Sequence, residues 1–288
     1  MTAHVVVGVD GSPSSLAAVE WAAGDAVRRG CGLRIVHVCA PWIHDIPLQT
    51  PPGFRDSMSA YCGEVLETAA ALARDRAPQL RVEAVLETGK AAEVLRREAE
   101  DAEQLVLGGR GLGGFTGLLL GSVCLALAGR VATPVVVVRN MPRHVFDEIV
   151  VGFDGSPGSE AALEYAFEEA VLRKARLRAV HALAAPVLGP YAAAYTSLID
   201  DAFEMAKRLT AEGLAGWRER YPQVEVEQTV VIGHPVEVMR EASEAADLVV
   251  VGSRGLGGLG AVVLGSIGHG VLHHARCPVA VIRPAGQA

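Results

Sequence analysis

The stretch VVVGVDGSP (Val5–Pro13) holds a strand, a turn and the start of a helix, and IVVGFDGSP (Ile149–Pro157) repeats it. The valine run carries no polar alternation, which suits a strand buried on both faces. Asp-Gly after it reads as a turn, because Asp bonds nearby backbone and Gly tolerates the bend. Ser12 and Ser156, each followed by Pro, read as helix starts. A serine hydroxyl caps free backbone N–H groups, and Pro is tolerated at the first helical position. The following segments, SSLAAVEWAAGDAVRRG and SEAALEYAFEEAVLRKA, carry apolar residues at helical spacing.

The repetition extends along the chain. Asp10 and Asp154 lie 144 positions apart, as do His37 and His181, Gly89 and Gly233, Gly108 and Gly252, and Pro134 and Pro278. A repeat this long is a duplicated domain, since solenoid units are several times shorter. Strand-like runs in the first copy are HVVVGVD, LRIVHV, RVEAVLE, QLVLGG and PVVVVR; the second has EIVVGFD, LRAVHA, VEQTVV, DLVVVGS and PVAVIR. Longer helical segments separate them, so each copy is expected to be an α/β domain with a five-stranded parallel sheet. The expected domains are residues 1–141 and 145–288, joined near NMPRHVFD (Asn140–Asp147).

Composition narrows the function classes. A net charge of −7 without a basic run argues against nucleic-acid and membrane-surface binding. The longest apolar stretch, around residues 118–128, is broken by Gly121 and Ser122 and is too short to span a bilayer. The opening MTAHVVVGVD lacks the basic and apolar regions of a signal peptide. Cys31, Cys39, Cys62, Cys124 and Cys277 are odd in number and form no CxxC pair, so they read as reduced, mostly buried thiols of a cytoplasmic protein.

Two glycine-rich segments remain, LGGRGLGGFTGLLLGS (Leu107–Ser122) and VGSRGLGGLGAVVLGS (Val251–Ser266). A P-loop needs Lys after its last Gly, and neither segment contains one. Gly109, Gly111 and Gly114 fit GxGxxG, but they follow the fourth strand, and Ser253 replaces the first glycine in the second copy. What both copies keep is G-x2-G-x9-G-S, on Gly108, Gly111, Gly121 and Ser122 and on Gly252, Gly255, Gly265 and Ser266. That motif, at one offset and with Asp10 and Asp154 upstream, resembles the ATP-binding branch of the universal stress protein family.

The resemblance covers nearly the whole chain and implies two tandem Rossmann-like (adenine nucleotide alpha hydrolase-like) domains with strand order 3-2-1-4-5 and helices on both sheet faces. It implies an ATP site per domain, with Mg²⁺ offsetting the phosphate charge. Asp10 and Asp154 would lie near ribose and phosphates, Val38 and Ala182 would offer backbone to the adenine, and Leu107 and Val251 would give apolar contact. Gly108, Gly111, Gly121, Ser122 and Val123, with Gly252, Gly255, Gly265, Ser266 and Ile267, would form the phosphate cradles. Missing Cβ atoms would admit an anion to backbone N–H groups, and the helix opening at Gly-Ser would favour it. Family members often carry a hydroxyl two residues further on, where this chain has Cys124 and Gly268.

Other features have plainer readings. His37 and His181 lie in apolar strands and read as satisfied core histidines. His269, His273 and His274 have metal-like spacing, but Leu125, Gly129 and Arg130 stand at their counterparts, so no metal site is read there. Cys124 reads as a packed thiol, and Arg110 and Arg254 face either phosphate or solvent. No catalytic set accompanies the motifs, so the expected function is nucleotide-dependent regulation of stress response or growth arrest, with weak ATP hydrolysis compatible. A homodimer and a regulatory protein partner are expected. The alternatives are a nucleotide-transferring enzyme of a related adenine-binding family, whose SGGxDS-like and HxGH-like motifs are missing, and a flavoprotein-like electron-transfer module.

Overall fold

The structure is a computed structural model that describes residues 3–39, 54–111, 120–142, 144–184, 196–255 and 264–284. The chain divides into two compact units, Met1–Met141 and Pro142–Ala288.

In the first unit the elements run β1 (His4–Val9), α1 (Pro13–Arg29), β2 (Gly32–Cys39), α2 (Phe54–Arg76), β3 (Val82–Thr88), α3 (Ala91–Ala99), β4 (Gln104–Gly108), α4 (Ser122–Leu127) and β5 (Val135–Val138). All pairings are parallel, in the order β3-β2-β1-β4-β5, with Val7 opposite both Ile35 and Val106. The second unit runs β6 (Glu148–Gly152), α5 (Pro157–Arg173), β7 (Arg176–Leu183), α6 (Thr196–Arg220), β8 (Val226–Ile232), α7 (Pro235–Ala242), β9 (Leu248–Gly252), α8 (Ser266–His274) and β10 (Val279–Ile282). Its order, β8-β7-β6-β9-β10, is the same topology. The expected α/β class and strand order are what the chain adopts. No described helix is long and apolar enough to cross a membrane.

Local chemistry sets the helix ends. Ser12 Oγ accepts from Ser15 N–H at 3.2 Å, and Ser156 Oγ from Ser159 N–H at 3.2 Å, each with Pro in the first turn. α1 ends at Gly30 with φ +65°, the left-handed conformation that closes helices; Lys174 takes the same role after α5 at φ +54°.

The core lies between sheet and helices. Val5, Val6 and Val7 of β1 and Leu105 and Val106 of β4 are fully buried. Ala18, Ala22 and Ala26 of α1 are equally buried, and their small side chains let the helix lie close to the sheet. β3 and β8 depart from the expected buried runs: none of their residues is buried, and Leu86 and Ile232 are nearly half exposed. Each pairs on one side only within its unit, which explains the polar residues interleaved in RVEAVLE and VEQTVV. A polar cluster not expected from the sequence ties α1 to β4. Asp25 and Gln104, both fully buried, are joined by Gln104 Nε2 donating to Asp25 Oδ2 at 2.6 Å, and Arg29 Nε donates to the same oxygen at 2.7 Å.

Candidate functional site

Strands β1 and β4 are neighbours, and the order reverses between them, so their crossovers leave in opposite directions. That opens a crevice at the carboxyl ends of the strands, where open α/β sheets place ligands. In the first unit a cavity of about 420 Å³ lies there. Asp10, Val38, Leu107, Gly108, Gly111, Gly121, Ser122 and Val123, the eight first-unit residues expected to meet a ligand, all line it. So do residues the motif did not mark: Val36 on β2, Ala91 and Leu95 on α3, Arg110, Leu120 and Cys124. Leu95 is buried and its inward direction follows from helical spacing, but nothing in the sequence ties α3 to this crevice.

The glycines have structural reasons that the sequence did not reveal. A Cβ on Gly108 would lie 2.7 Å from the Ser14 carbonyl and from Ser15 N, so this glycine admits the first turn of α1. Gly252 does the same for α5, where a Cβ would lie 2.5 Å from the Gly158 carbonyl. A Cβ on Gly111 would come within 2.4 Å of Asp10 Oδ2, and one on Gly255 within 2.5 Å of Asp154 Oδ2. The second motif glycine therefore makes room for a carboxylate. The other oxygen of each carboxylate, Oδ1, accepts from Ser12 N–H or Ser156 N–H at 3.0 Å, so the turn-forming reading of these aspartates also holds. Gly121 and Gly265 differ: among the described residues a Cβ there would meet nothing nearer than 3.6 Å. Their N–H groups donate to Gly109 O at 2.9 Å and to Ser253 O at 2.8 Å. Both are the N-caps of their helices, and neither helix start is capped by a side chain.

A serine clasp fixes the loop after β4. Ser12 Oγ donates to Arg110 O at 3.1 Å; Ser14 Oγ also donates to Arg110 O and accepts from Arg110 N–H at 3.2 Å. In the second unit Gly158 stands at the place of Ser14, and a Cβ on it would lie 2.1 Å from Arg254 O. The loop there closes directly onto the helix.

The remaining second-unit residues occupy matching places. Asp154 follows β6, Ala182 lies on β7, Val251 and Gly252 end β9, and Ser266 and Ile267 open α8. Leu112–Phe115 and the other residues between Gly111 and Leu120, like those between Gly255 and Leu264, lie outside the described residues.

Burial decides the titratable groups. Cys124 is 2 % exposed, and its thiol donates to Gly108 O at 3.1 Å. Burial, reinforced by the Asp10 charge, pushes it up to about 12, so it stays a packed thiol. His181 donates through Nδ1 to Thr210 Oγ1 at 3.0 Å, because that hydroxyl gives its own hydrogen to Ala206 O. Burial holds His181 below the ordinary histidine range, partly opposed by Asp154. The rings of His269 and His273 lie 4.4 Å apart. The reading of five separate thiols needs correction: Cys39 and Cys62 form a disulfide across 23 residues, while Cys31, Cys124 and Cys277 are free. Sequence spacing alone gives no connectivity, and the strand–helix contact supplies it.

A family model described as "Universal stress protein family" matches residues 1–139 and 146–283. Two universal stress proteins of Mycobacterium tuberculosis are 38 % and 36 % identical, each aligned over 97 % of this chain and 96 % of its own. One from Mycolicibacterium smegmatis is 34 % identical over 97 % of both chains. The solved structure of a universal stress protein from Archaeoglobus fulgidus shares the fold, with a TM-score of 0.69, 23 % identity and 98 % of each chain covered.

Proposed function

Since the chain belongs to the universal stress protein family, we propose that it is a cytoplasmic, ATP-binding regulator with one nucleotide site in each unit, read out by a homodimer contact or a regulatory partner. The observation that carries this reading is the convergence of all eight expected first-unit residues on one cavity. Its volume, about 420 Å³, suits a small-molecule site. Its chemistry is graded in the way a nucleotide requires. Val36, Val38, Leu95 and Leu107 give an apolar end for a base, while Arg110, the backbone at Gly111 and the α4 start at Ser122 and Val123 give a polar end for phosphates.

In this reading Val38 and Ala182 offer backbone to adenine, and Leu107 and Val251 pack on its face. Gly108, Gly111, Gly121, Ser122 and Val123 hold phosphate in the first site; Gly252, Gly255, Gly265, Ser266 and Ile267 do so in the second. Asp10 and Asp154 lie toward ribose and the Mg²⁺ that accompanies the triphosphate. In this reading the protein holds the nucleotide as a regulatory ligand and turns it over slowly at most, because the motifs bring phosphate-binding backbone without a recognisable catalytic set.

The test is the identity and stoichiometry of nucleotide released on denaturing purified protein, with calorimetric titration by Mg²⁺-ATP. Two equivalents per chain are expected. Gly121→Leu and Gly265→Leu should each remove one; a Cβ there has ordinary space, and circular dichroism checks that the longer side chain leaves the fold intact. Protein that releases no adenine nucleotide and gives no binding heat would overturn the proposal.

A further inference from the structure

We propose that Cys39, Cys62 and His37, once the disulfide is reduced, form a binding site for a divalent transition metal of the zinc type in the first unit. One ring nitrogen of His37 and the two sulfurs lie within 4.8 Å of one another, and all three residues are buried. Two thiolates and an imidazole are a ligand set suited to zinc, whose bonds of about 2.3 Å to sulfur and about 2.0 Å to nitrogen place tetrahedral ligands roughly 3–4 Å apart. Among the described residues this is the single group of three or more potential ligands.

Three further observations support the assignment. The first is the orientation of His37. Its Nδ1 lies 2.7 Å from Val9 O, and a carbonyl can only accept, so Nδ1 carries the hydrogen and Nε2 keeps the lone pair. A ring N–H anchored on a backbone carbonyl is the outer-shell arrangement that metal-binding histidines use. The second is the scaffold. His37 and Cys39 are two apart on β2, so they share a face of the strand, and Cys62 comes from α2. Met58 packs against the sulfur pair and keeps the surroundings apolar.

The third is the internal comparison. The second unit keeps the histidine as His181 but has Leu183 and Ala206 at the two cysteine positions. There the imidazole N–H turns to Thr210 instead of a strand carbonyl. A core that needed only a small buried side chain is served by Ala206; the first unit departs from it at both positions together.

The chemistry balances. In thiol–disulfide exchange, two equivalents of a low-molecular-weight thiol reduce the Cys39–Cys62 bond, giving two protein thiols and one small-molecule disulfide. Binding of M²⁺ then displaces two protons, one from each thiol, and His37 adds as a neutral ligand. Exchange with the low-molecular-weight disulfide reverses both steps: it re-forms the Cys39–Cys62 bond, returns two small-molecule thiols that take up the two protons, and releases M²⁺. Val38, between two of the ligands, lines the nucleotide-sized cavity, so metal occupancy and that cavity share a strand end.

Cobalt(II) is the probe, because thiolate-to-cobalt charge transfer is visible only when sulfur ligates. Reduced full-length protein should show that band, saturating at one equivalent per chain and displaced by zinc. The same protein with its disulfide intact should show none. Cys39→Ser and Cys62→Ser should each abolish the band. His37→Gln should weaken binding by more than the about 10–100-fold that loss of an outer-shell partner costs. A reduced protein without the band, or a band of equal strength in Cys62→Ser, overturns the proposal. The comparison of reduced and oxidised parent protein needs no substitution, so a misfolded variant does not rescue it.

Discussion

Replacing Gly108 with alanine separates the two reasons a glycine can occupy this strand end. The added Cβ would sit 2.7 Å from the carbonyl carbon and oxygen of Ser14 and from Ser15 N, against 3.4 Å where ordinary contact begins. All three obstacles are backbone atoms in the first turn of α1, so no rotamer change relieves them. The helix must retreat by about 0.7 Å, which opens the contact between Ala18, Ala22 and the sheet, where interiors are close-packed. Overpacking of this kind costs about 1–3 kcal/mol. At about 4 °C per kcal/mol for a unit of this size, the thermal midpoint should fall by roughly 4–12 °C. The control is Gly121→Ala, whose Cβ meets no described residue nearer than 3.6 Å and which should stay within about 0.5 kcal/mol of the parent. The assay is thermal unfolding in nucleotide-free buffer, followed by circular dichroism or calorimetry. If Gly108→Ala unfolds at the parent temperature, helix packing is not what this glycine serves, and the argument from its neighbours is refuted.

The other predictions rest on separate features. Asp25→Ala leaves Arg29 and Gln104 facing a buried void and should destabilise the first unit by about 3–5 kcal/mol, measured by urea unfolding. Ser253→Ala removes a fully buried hydroxyl that has no hydrogen-bond partner among the described residues, and should raise the stability of the second unit by about 1 kcal/mol in the same assay. His181 has a folded pKa below its unfolded value, so the unfolded chain binds the proton more readily. Its contribution is complete above the unfolded value of about 6.5 and declines as pH falls from there through the folded pKa; His181→Gln should flatten that part of the stability–pH curve. Cys124 should resist alkylation in the native protein at neutral pH, because its thiol is pushed up to about 12 by burial, and peptide mapping should find the more accessible Cys31 labelled first.

The sequence made much of the fold legible because the same chemistry is written twice. The Ser-Pro starts at Ser12 and Ser156 cap helices as their residue types require, and the shared offset of the histidines and glycines carries the strand order from one unit to the other. Features that depend on distant chain segments were not legible. The Gln104–Asp25 bond joins residues 79 apart, and the Cys39–Cys62 link depends on where α2 lies over β2. The glycine motif was read as open backbone waiting for an anion. Gly108 also accommodates a helix, and Gly111 the carboxylate of Asp10, because the obstructing atoms come from the turn after β1 and the start of α1, 90 residues or more upstream. Motif spacing identifies the place; the neighbours that make each glycine necessary appear only when the chain is folded.

The pair Ser14 and Gly158 bears on how two copies of one domain drift apart. In the first unit the side chain bridges helix and loop; in the second the loop carbonyl has moved into the volume that a side chain would fill, 2.1 Å from a Cβ. Loss of the serine side chain leaves a gap that the loop can close, but restoring it to the second unit meets a backbone oxygen already in its place. The change is easy in one direction and obstructed in the other. A duplicated protein can become asymmetric this way without any gain of function: the first half can still take the glycine of the second, but the second can no longer take the serine of the first in a single substitution.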